Sequence, residues 1–367
     1  MFRETDVFVI GGGPAGLAAA LAARRRGLEV TVADSLQPPI DKPCGEGVMP
    51  DGLDALQRLG VSVRDLHGFS FRGIRFVSGK LSTEAAFPSG TALGARRTDL
   101  HRVMLEHAEA AGVRLLWRSV VSGVDGNNVR VNHQTVRARW IIGADGTASR
   151  VRRWAGLDHH ARLRQRYAFR RHYRVVPWSE FMELHWGPGC QLYVTPVGPA
   201  EVCVALISRD PALRLDQALP AFPAVAARLA HAEHGSLERG AISVTRKLHR
   251  VFVGNIVLLG DASGGVDAIT GEGLCLAFQQ ADILADCLIS GDLSGYQRRH
   301  RALAHRPALM AAAMLMLEYP HLRARLMRIF TRHPYLFSRM LATHVGAASP
   351  LNTAGTAMAL GWKLLAA

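Results

Sequence analysis

Residues 6–16 read Asp-Val-Phe-Val-Ile-Gly-Gly-Gly-Pro-Ala-Gly, and this stretch decides the fold. Asp6 to Ile10 are mostly apolar, as in a parallel strand buried on both faces. Gly11, Gly13 and Gly16 follow at the spacing G-x-G-x-x-G, with Pro14 and Ala15 between the last two. The Ala/Leu-rich run Leu17 to Ala23 continues as a helix. The first glycine makes a tight turn, the second admits a pyrophosphate, and the third lets the helix pack on the strand. Free N–H groups at the helix start favour the phosphates. Asp34 closes a second strand, Glu29 to Ala33, where a carboxylate accepts ribose hydroxyls. Taken alone, G-x-G-x-x-G also suits a Gly-rich turn in another α/β unit. The strand, helix, second strand and acid together predict a dinucleotide site on a Rossmann-type α/β domain.

The chain has 367 residues, enough for a large core and two domains. Its composition, 49% apolar and 20% charged, is globular. The start lacks an apolar run behind a basic end and reads as structural rather than as a signal peptide. The longest nearly apolar run, Pro307 to Leu317, is too short to span a bilayer. Five cysteines without a C-x-x-C pair argue against a disulfide framework or a zinc site. They fit a reducing cytoplasm, and no metal is expected. The net charge is +14, and nine arginines against one acid, Glu318, lie between Arg298 and Met340. Such a face is either a solvated surface or a contact for an anionic membrane or acidic partner. No nucleic-acid motif accompanies it, so nucleic acid is not expected.

Along the chain, Pro38 to Pro50 reads as a loop and Leu53 to Leu59 as a short helix. Phe69 to Phe87 reads as short antiparallel strands of another sheet. Arg97 to Ala111 has helical spacing, with Thr98 and Asp99 as possible caps. Val113 to Trp117 is a strand, and Val120 to Val136 form hairpins with a turn at Gly126-Asn127-Asn128. Ala138 to Ile142 is a buried strand entering Gly143-Ala144-Asp145-Gly146. Asp158 to Leu248 alternates like β-structure, interrupted by a helix near Leu219 to His231. Val251 to Leu259 reads as one buried strand, Gly273 to Leu288 as a long helix, and Tyr296 to Ala367 as mostly helical. This order predicts a discontinuous nucleotide-binding domain (1–68, 95–157 and 249–300) and a β-rich substrate domain (69–94 and 158–248). A helical C-terminal region (301–367) follows.

Two further motifs sit where apolar strands end. One is Gly143-Ala144-Asp145-Gly146, with Arg150 downstream. The other is Gly260-Asp261-Ala262-Ser263, followed by Thr270-Gly271-Glu272-Gly273-Leu274 at a helix start. Asp261 could accept a hydroxyl of a polyol chain. The N–H groups of Gly271 to Leu274 could face an electron-rich ring edge. In this order the three motifs resemble the FAD-binding fold of the p-hydroxybenzoate-hydroxylase superfamily, of the GR2 type, over roughly residues 1–300. The resemblance implies FAD as cofactor and places Arg97, with Arg96 as a fallback, near the flavin. Lys42-Pro43-Cys44-Gly45-Glu46-Gly47 and Thr270-Gly271-Glu272-Gly273 are similar to the geranylgeranyl-reductase-like branch. That branch implies Cys44 near the isoalloxazine ring. The Tyr-x-Trp-x-Phe-Pro motif of that branch is replaced here by Tyr193-Val194-Thr195-Pro196 and its neighbours.

The resemblance therefore implies an FAD-dependent oxidoreductase acting on a hydrophobic small molecule, isoprenoid or polyketide-derived, by hydride transfer through flavin N5. The alternative is a flavin monooxygenase using NAD(P)H and oxygen; a flavoprotein electron carrier is a third class. Cys44 could donate a proton or simply pack its loop. His172 and His185 could be acid/base groups or structural. Trp178, Trp186 and Tyr193 could line an apolar pocket or belong to the core, and Pro196 is placed in a turn beside it. Glu46 and Glu272 are expected to pair with Lys42 or Arg97. Transient NAD(P)H is a candidate electron donor, with Arg150 and Arg152 candidates for its phosphates. The basic C-terminal helices are a candidate for peripheral membrane contact.

Overall fold

The computed structural model describes residues 4–366. The ends of the expected divisions, residues 1–3 and 367, lie outside the described residues.

The first sheet is built around Glu4–Ile10. Val30–Ala33 flanks it on one side and Gln134–Gly143 on the other, both parallel to it. Arg114–Leu116 extends the sheet beyond the former and Ile256–Leu258 beyond the latter, again in parallel. The first strand therefore sits where the chain order reverses, and ligands of such sheets lie outside the carboxyl ends of the strands at that point. All three motifs and Asp34 follow the last residues of these strands. The helix Pro14–Arg25 packs on this sheet and the helix Gly273–Ser290 packs on that helix, with Leu17, Leu21, Phe278 and Leu284 all buried. Gly273–Ser290 is long and apolar enough to cross a membrane, but 56% of it is buried inside the protein, as in a core helix.

The second sheet joins Glu233–His234, His160–Arg174, Glu201–Ser208, Cys190–Gly198, Phe181–Trp186, Gly73–Ser78 and Leu81–Ala86 in that order. Arg239–Leu248 lies along His160–Arg174 as its other partner. One face packs on the C-terminal helices, with Phe76 between Trp186 and Phe337. The other face carries Leu215, Phe222 and Val225. A three-stranded sheet, Gly47–Val48, Ala92–Gly94 and Phe69–Phe71, shares no strand with these two and packs against Cys190–Gly198.

Several local expectations are corrected. Phe69 to Phe87 divides between two sheets, and Gly73–Ser78 runs parallel to Phe181–Trp186. Val251 to Leu259 is not one strand: Phe252–Val253 folds back on Ile256–Leu258 around Gly254, whose φ is +55°. Thr98 and Asp99 do not cap the helix Arg97–Ala110. Asp99 instead accepts the N–H of His67 and pairs with Arg102. The helix Leu293–Met316 continues through residues 300 and 301.

Candidate active site

A cavity of about 1240 Å³ opens along the carboxyl edge of the first sheet and runs beneath the second. It is larger than the usual single-ligand pocket, which leaves room for a dinucleotide and a second molecule. Gly11, Gly13, Pro14, Ala15, Asp34, Cys44, Arg97, Asp145, Gly146, Gly260, Asp261, Gly271, Glu272, Gly273 and Leu274 all line it. Gly16 does not. A Cβ there would stand 1.8 Å from the carbonyl oxygen of Gly11, so its hydrogen allows the close helix–strand approach. Gly11 has φ +112°, and a side chain there would strike the backbone of Ala144. The first and second motifs thus touch directly.

Each motif is held by its own hydrogen bonds. Asp34 Oδ2 accepts the Gly12 N–H at 2.7 Å, and Oδ1 accepts that of Leu36 at 2.8 Å. His101, fully buried, bonds the Gly12 carbonyl at 2.8 Å. Asp145 accepts from Ser149 Oγ and from the N–H groups of Arg150 and Val151, so it closes the start of the short helix Arg150–Trp154. Tyr193 donates to the Ile269 carbonyl at 2.7 Å and steadies the turn that leads into Gly271.

The charged walls differ from the sequence expectation. Lys42 pairs with Asp261 at 2.7 Å, bridging the Cys-Gly loop to the third motif. Burial pushes the Asp261 carboxyl up, but Lys42, Thr147 and Arg97 outweigh it and hold the group below its ordinary range. Glu272 pairs with Arg306 rather than with Lys42 or Arg97. Burial pushes Glu272 up to about 8 against the pull of Arg306. Burial also pushes the Cys44 thiol up, although Arg97 opposes it. A raised thiol keeps its proton at neutral pH and is a poor nucleophile.

Glu46, expected to pair with Lys42 or Arg97, lies instead against His172 and Arg170 and meets Arg97 through that residue's backbone N–H. Its carboxylate is 2% exposed, and Oε1 accepts the Arg97 N–H at 3.0 Å, capping the helix Arg97–Ala110 from outside. Its Oε2 lies 2.6 Å from His172 Nε2. Glu46, His172 and Cys203 place ligating atoms within 4.8 Å of one another. The Arg170 guanidinium, 3.7 Å from Glu46 and 3.1 Å from His172 Nδ1, already supplies positive charge there and disfavours a metal cation. No local signal connects Glu46 to His172, because 126 residues separate them.

The remaining candidates are placed elsewhere. His185 is buried against Glu183 and Phe222, away from the cavity lining. Trp186 packs on Phe76, and Trp178 donates to Glu183, so of the three aromatics only Tyr193 lines the cavity. Pro196 backs onto Gly94 instead of the cavity. Arg150 lines the cavity, but Arg152 is buried on Asp158 and the carbonyls of Ala262 and Thr147. Arg96 is tied to Glu201, whereas Arg97 lines the cavity. Sequence reasoning missed His300, a cavity residue that bonds Ser263 Oγ at 2.8 Å. Burial pushes it down to about 4.

This lining fits an adenine dinucleotide carrying a flavin. Arg97 Nε is buried without a partner among the described residues, which suits an anionic ligand. Two long helices, Pro14–Arg25 and Gly273–Ser290, start at the wall, and acids stand at the strand ends. Comparison with known proteins agrees. Residues 4–192 match the family model described as FAD binding domain. A menaquinone reductase of Mycolicibacterium smegmatis is 29% identical over 81% of this chain and 79% of its own length. A digeranylgeranylglycerophospholipid reductase of Methanocella arvoryzae is 27% identical over 80% of this chain and 81% of its own. In fold, a flavin-dependent brominase superposes with a TM-score of 0.81 at 17% identity, covering 94% of each chain. A geranylgeranyl bacteriochlorophyll reductase-like protein of Thermoplasma acidophilum gives 0.73 at 21%, covering 87% of this chain and 89% of its own. The family match spans just over half of the chain, and the reductase relatives cover most of it. The chain belongs to the FAD binding domain family and is an FAD-dependent oxidoreductase.

Proposed function

We propose that this flavoenzyme saturates a carbon–carbon double bond in a hydrophobic, isoprenoid-bearing molecule. In this reading the Gly11–Gly16 loop and Arg97 hold the pyrophosphate, and Asp34 the adenosine ribose. Asp145, Gly146, Gly260 and Asp261 hold the linking chain. Gly271 to Leu274 hold the ring edge. Bound FAD supplies a hydride when reduced. Residues 1–68, 95–157 and 249–300 form the cofactor domain in this reading, and 69–94 and 158–248 the substrate domain.

The observation that carries the reading is the chemistry of the inner chamber. Met182, Tyr193 and Ile207 of the second sheet face Ala308, Ala311 and Leu315 of the helix Leu293–Met316 across it. Such a chamber binds an apolar chain by removing it from water. The menaquinone and digeranylgeranylglycerophospholipid reductases among the relatives support the same substrate class. The test is anaerobic: the reduced holoenzyme is mixed with prenylated quinones and geranylgeranyl lipids, and products are weighed. Gain of two hydrogens on carbons of the prenyl chain, with oxidation of the flavin, supports the reading, and a quinone reduced only at its oxygens refutes it. Turnover only with oxygen, giving a product one oxygen atom heavier, refutes it in favour of a monooxygenase.

We further propose that the C-terminal helices bring the enzyme to the membrane that holds such a substrate. On the helix 350–366, Leu351, Met358, Trp362 and Leu365 share one face and are 70–85% exposed. Arg328, Arg332 and Arg339 are exposed on the two preceding helices, whereas Arg306, Arg323 and Arg325 are half-buried. An apolar stripe beside arginines suits an anionic bilayer interface.

A further inference from the structure

A line of hydrogen-bonded side chains leads from the cavity wall to the surface. Glu46 lines the cavity, and its Oε2 lies 2.6 Å from His172 Nε2. His172 Nδ1 lies 2.8 Å from Ser236 Oγ. Ser236 is half-exposed and adjoins Leu237, which is 85% exposed. His172 is 2% exposed, so the ring spans the dry interval between the two ends.

Three features set this line apart from an ordinary buried ion pair. Glu46 has φ +59°, a left-handed conformation that strains an L-residue. It is held there at three atoms, by Ala95 on its carbonyl, by the Arg97 N–H on Oε1 and by His172 on Oε2. The imidazole is engaged at both nitrogens, one toward solvent and one toward the cavity, as a proton shuttle requires. Arg170, 2% exposed, directs Nη1 at Nδ1 from 3.1 Å. That donor leaves the ring hydrogen on Nε2, directed at Glu46. Among the described residues, Cys203, Cys44, Arg96, Arg97, Glu201 and Asp41 are further charged or titratable groups near the line.

We propose that Ser236, His172 and Glu46 form a proton relay between bulk water and the cavity. The relay rests on the proposed reduction for the use of the proton, not for its path. In that reduction one alkene carbon takes a hydride from reduced FAD and its neighbour takes a proton. The two electrons leave the cofactor, and a nicotinamide-class donor restores them. Glu46 passes the proton into the cavity, and His172 Nε2–H replaces it on Oε2. Nδ1 takes a hydrogen from Ser236, and water refills the hydroxyl. Because a bound apolar substrate displaces water from the inner chamber, a path through the protein is needed.

The experiment follows protons with the inner chamber filled by a saturated isoprenoid alcohol, which excludes water and accepts no hydride. Reduction of FAD to its anionic form takes two electrons and one proton. The holoprotein is photoreduced without oxygen in weak buffer with a pH indicator, and proton uptake is timed against loss of flavin absorbance. In the parent protein the two signals coincide. In Ser236→Ala and His172→Gln uptake lags by about a hundredfold, and added imidazole restores it. An unchanged oxidised flavin spectrum shows that the site is intact. If His172→Gln loses its flavin, Ser236→Ala alone decides. Uptake that keeps pace with flavin bleaching in the variants overturns the relay, whatever the reaction. An oxygenated product from the parent protein overturns the reductase reading instead and leaves the relay standing.

Discussion

The Glu46 and His172 side chains meet at 2.6 Å in the protein interior, each about 2% exposed. The contact joins the Cys-Gly loop to the second sheet, and Glu46 also caps the helix that carries Arg97. Removing one partner of such a pair leaves the other buried and uncompensated. Glu46→Gln is expected to cost about 3–5 kcal/mol. Glu46→Gln and His172→Gln together should cost less than the sum of the single changes. Urea denaturation of the four proteins of that cycle measures the coupling, and strict additivity would show that the contact contributes nothing.

Gly16→Ala is expected to destroy cofactor binding and to cost about 3 kcal/mol of stability. The added Cβ has nowhere to go, since the Gly11 carbonyl oxygen is 1.8 Å away and is backbone. Purified Gly16→Ala protein should be colourless and should not regain flavin on incubation with FAD. Full retention of flavin would contradict the packing described.

Two buried groups give opposite pH dependences. Glu272, held at about 8, keeps a proton that the unfolded chain releases above 4.5, so it lowers stability as pH rises between those values. His300, held at about 4, refuses a proton that the unfolded chain binds below 6.5, so its penalty appears as pH falls from 6.5 toward 4. Each slope is at most about 1.4 kcal/mol per pH unit. Thermal melts across the range should show Glu272→Gln gaining on the parent toward alkaline pH. His300→Gln should gain toward acid pH. Parallel curves for parent and variants would refute both assignments.

The exposed C-terminal stripe predicts binding to vesicles. The protein should co-sediment with vesicles rich in anionic lipid and less with neutral ones, and high salt should weaken the binding. Trp362→Ser with Leu365→Ser should abolish co-sedimentation while leaving bound flavin untouched. Equal binding by this double variant would remove the helix 350–366 from the contact.

The nucleotide-binding edge was legible in the sequence because its rules are local. Gly16 is demanded by a contact within a single strand–turn–helix unit, the positive φ of Gly11 belongs to the same turn, and Asp34 follows the next strand directly. The fold around it followed from the same periodicities. What was not legible depends on distant partners. Lys42 finds Asp261 across 219 residues, and Glu46 rather than Thr98 or Asp99 caps the helix at Arg97. Arg152 read as a free phosphate ligand, yet its guanidinium is used inside the fold by Asp158 and two carbonyls. Glu318, the lone acid among the C-terminal arginines, is drawn to buried Arg166 of the second sheet. Such pairings follow from tertiary packing, which spacing in one chain does not encode.

In the proposed reaction the reduced cofactor gives its hydride to a double bond in an apolar substrate. The most direct measurement is a single turnover of the reduced holoenzyme in deuterated water without oxygen, with prenylated quinone or geranylgeranyl lipid, followed by mass analysis of the product. The expected product carries two deuterium atoms on adjacent carbons, one as hydride from the solvent-exchanged flavin N5 and one as a solvent proton, formed as the flavin is oxidised. A flavin that stays reduced until oxygen is admitted, with an oxygen atom then appearing in the product, would contradict it.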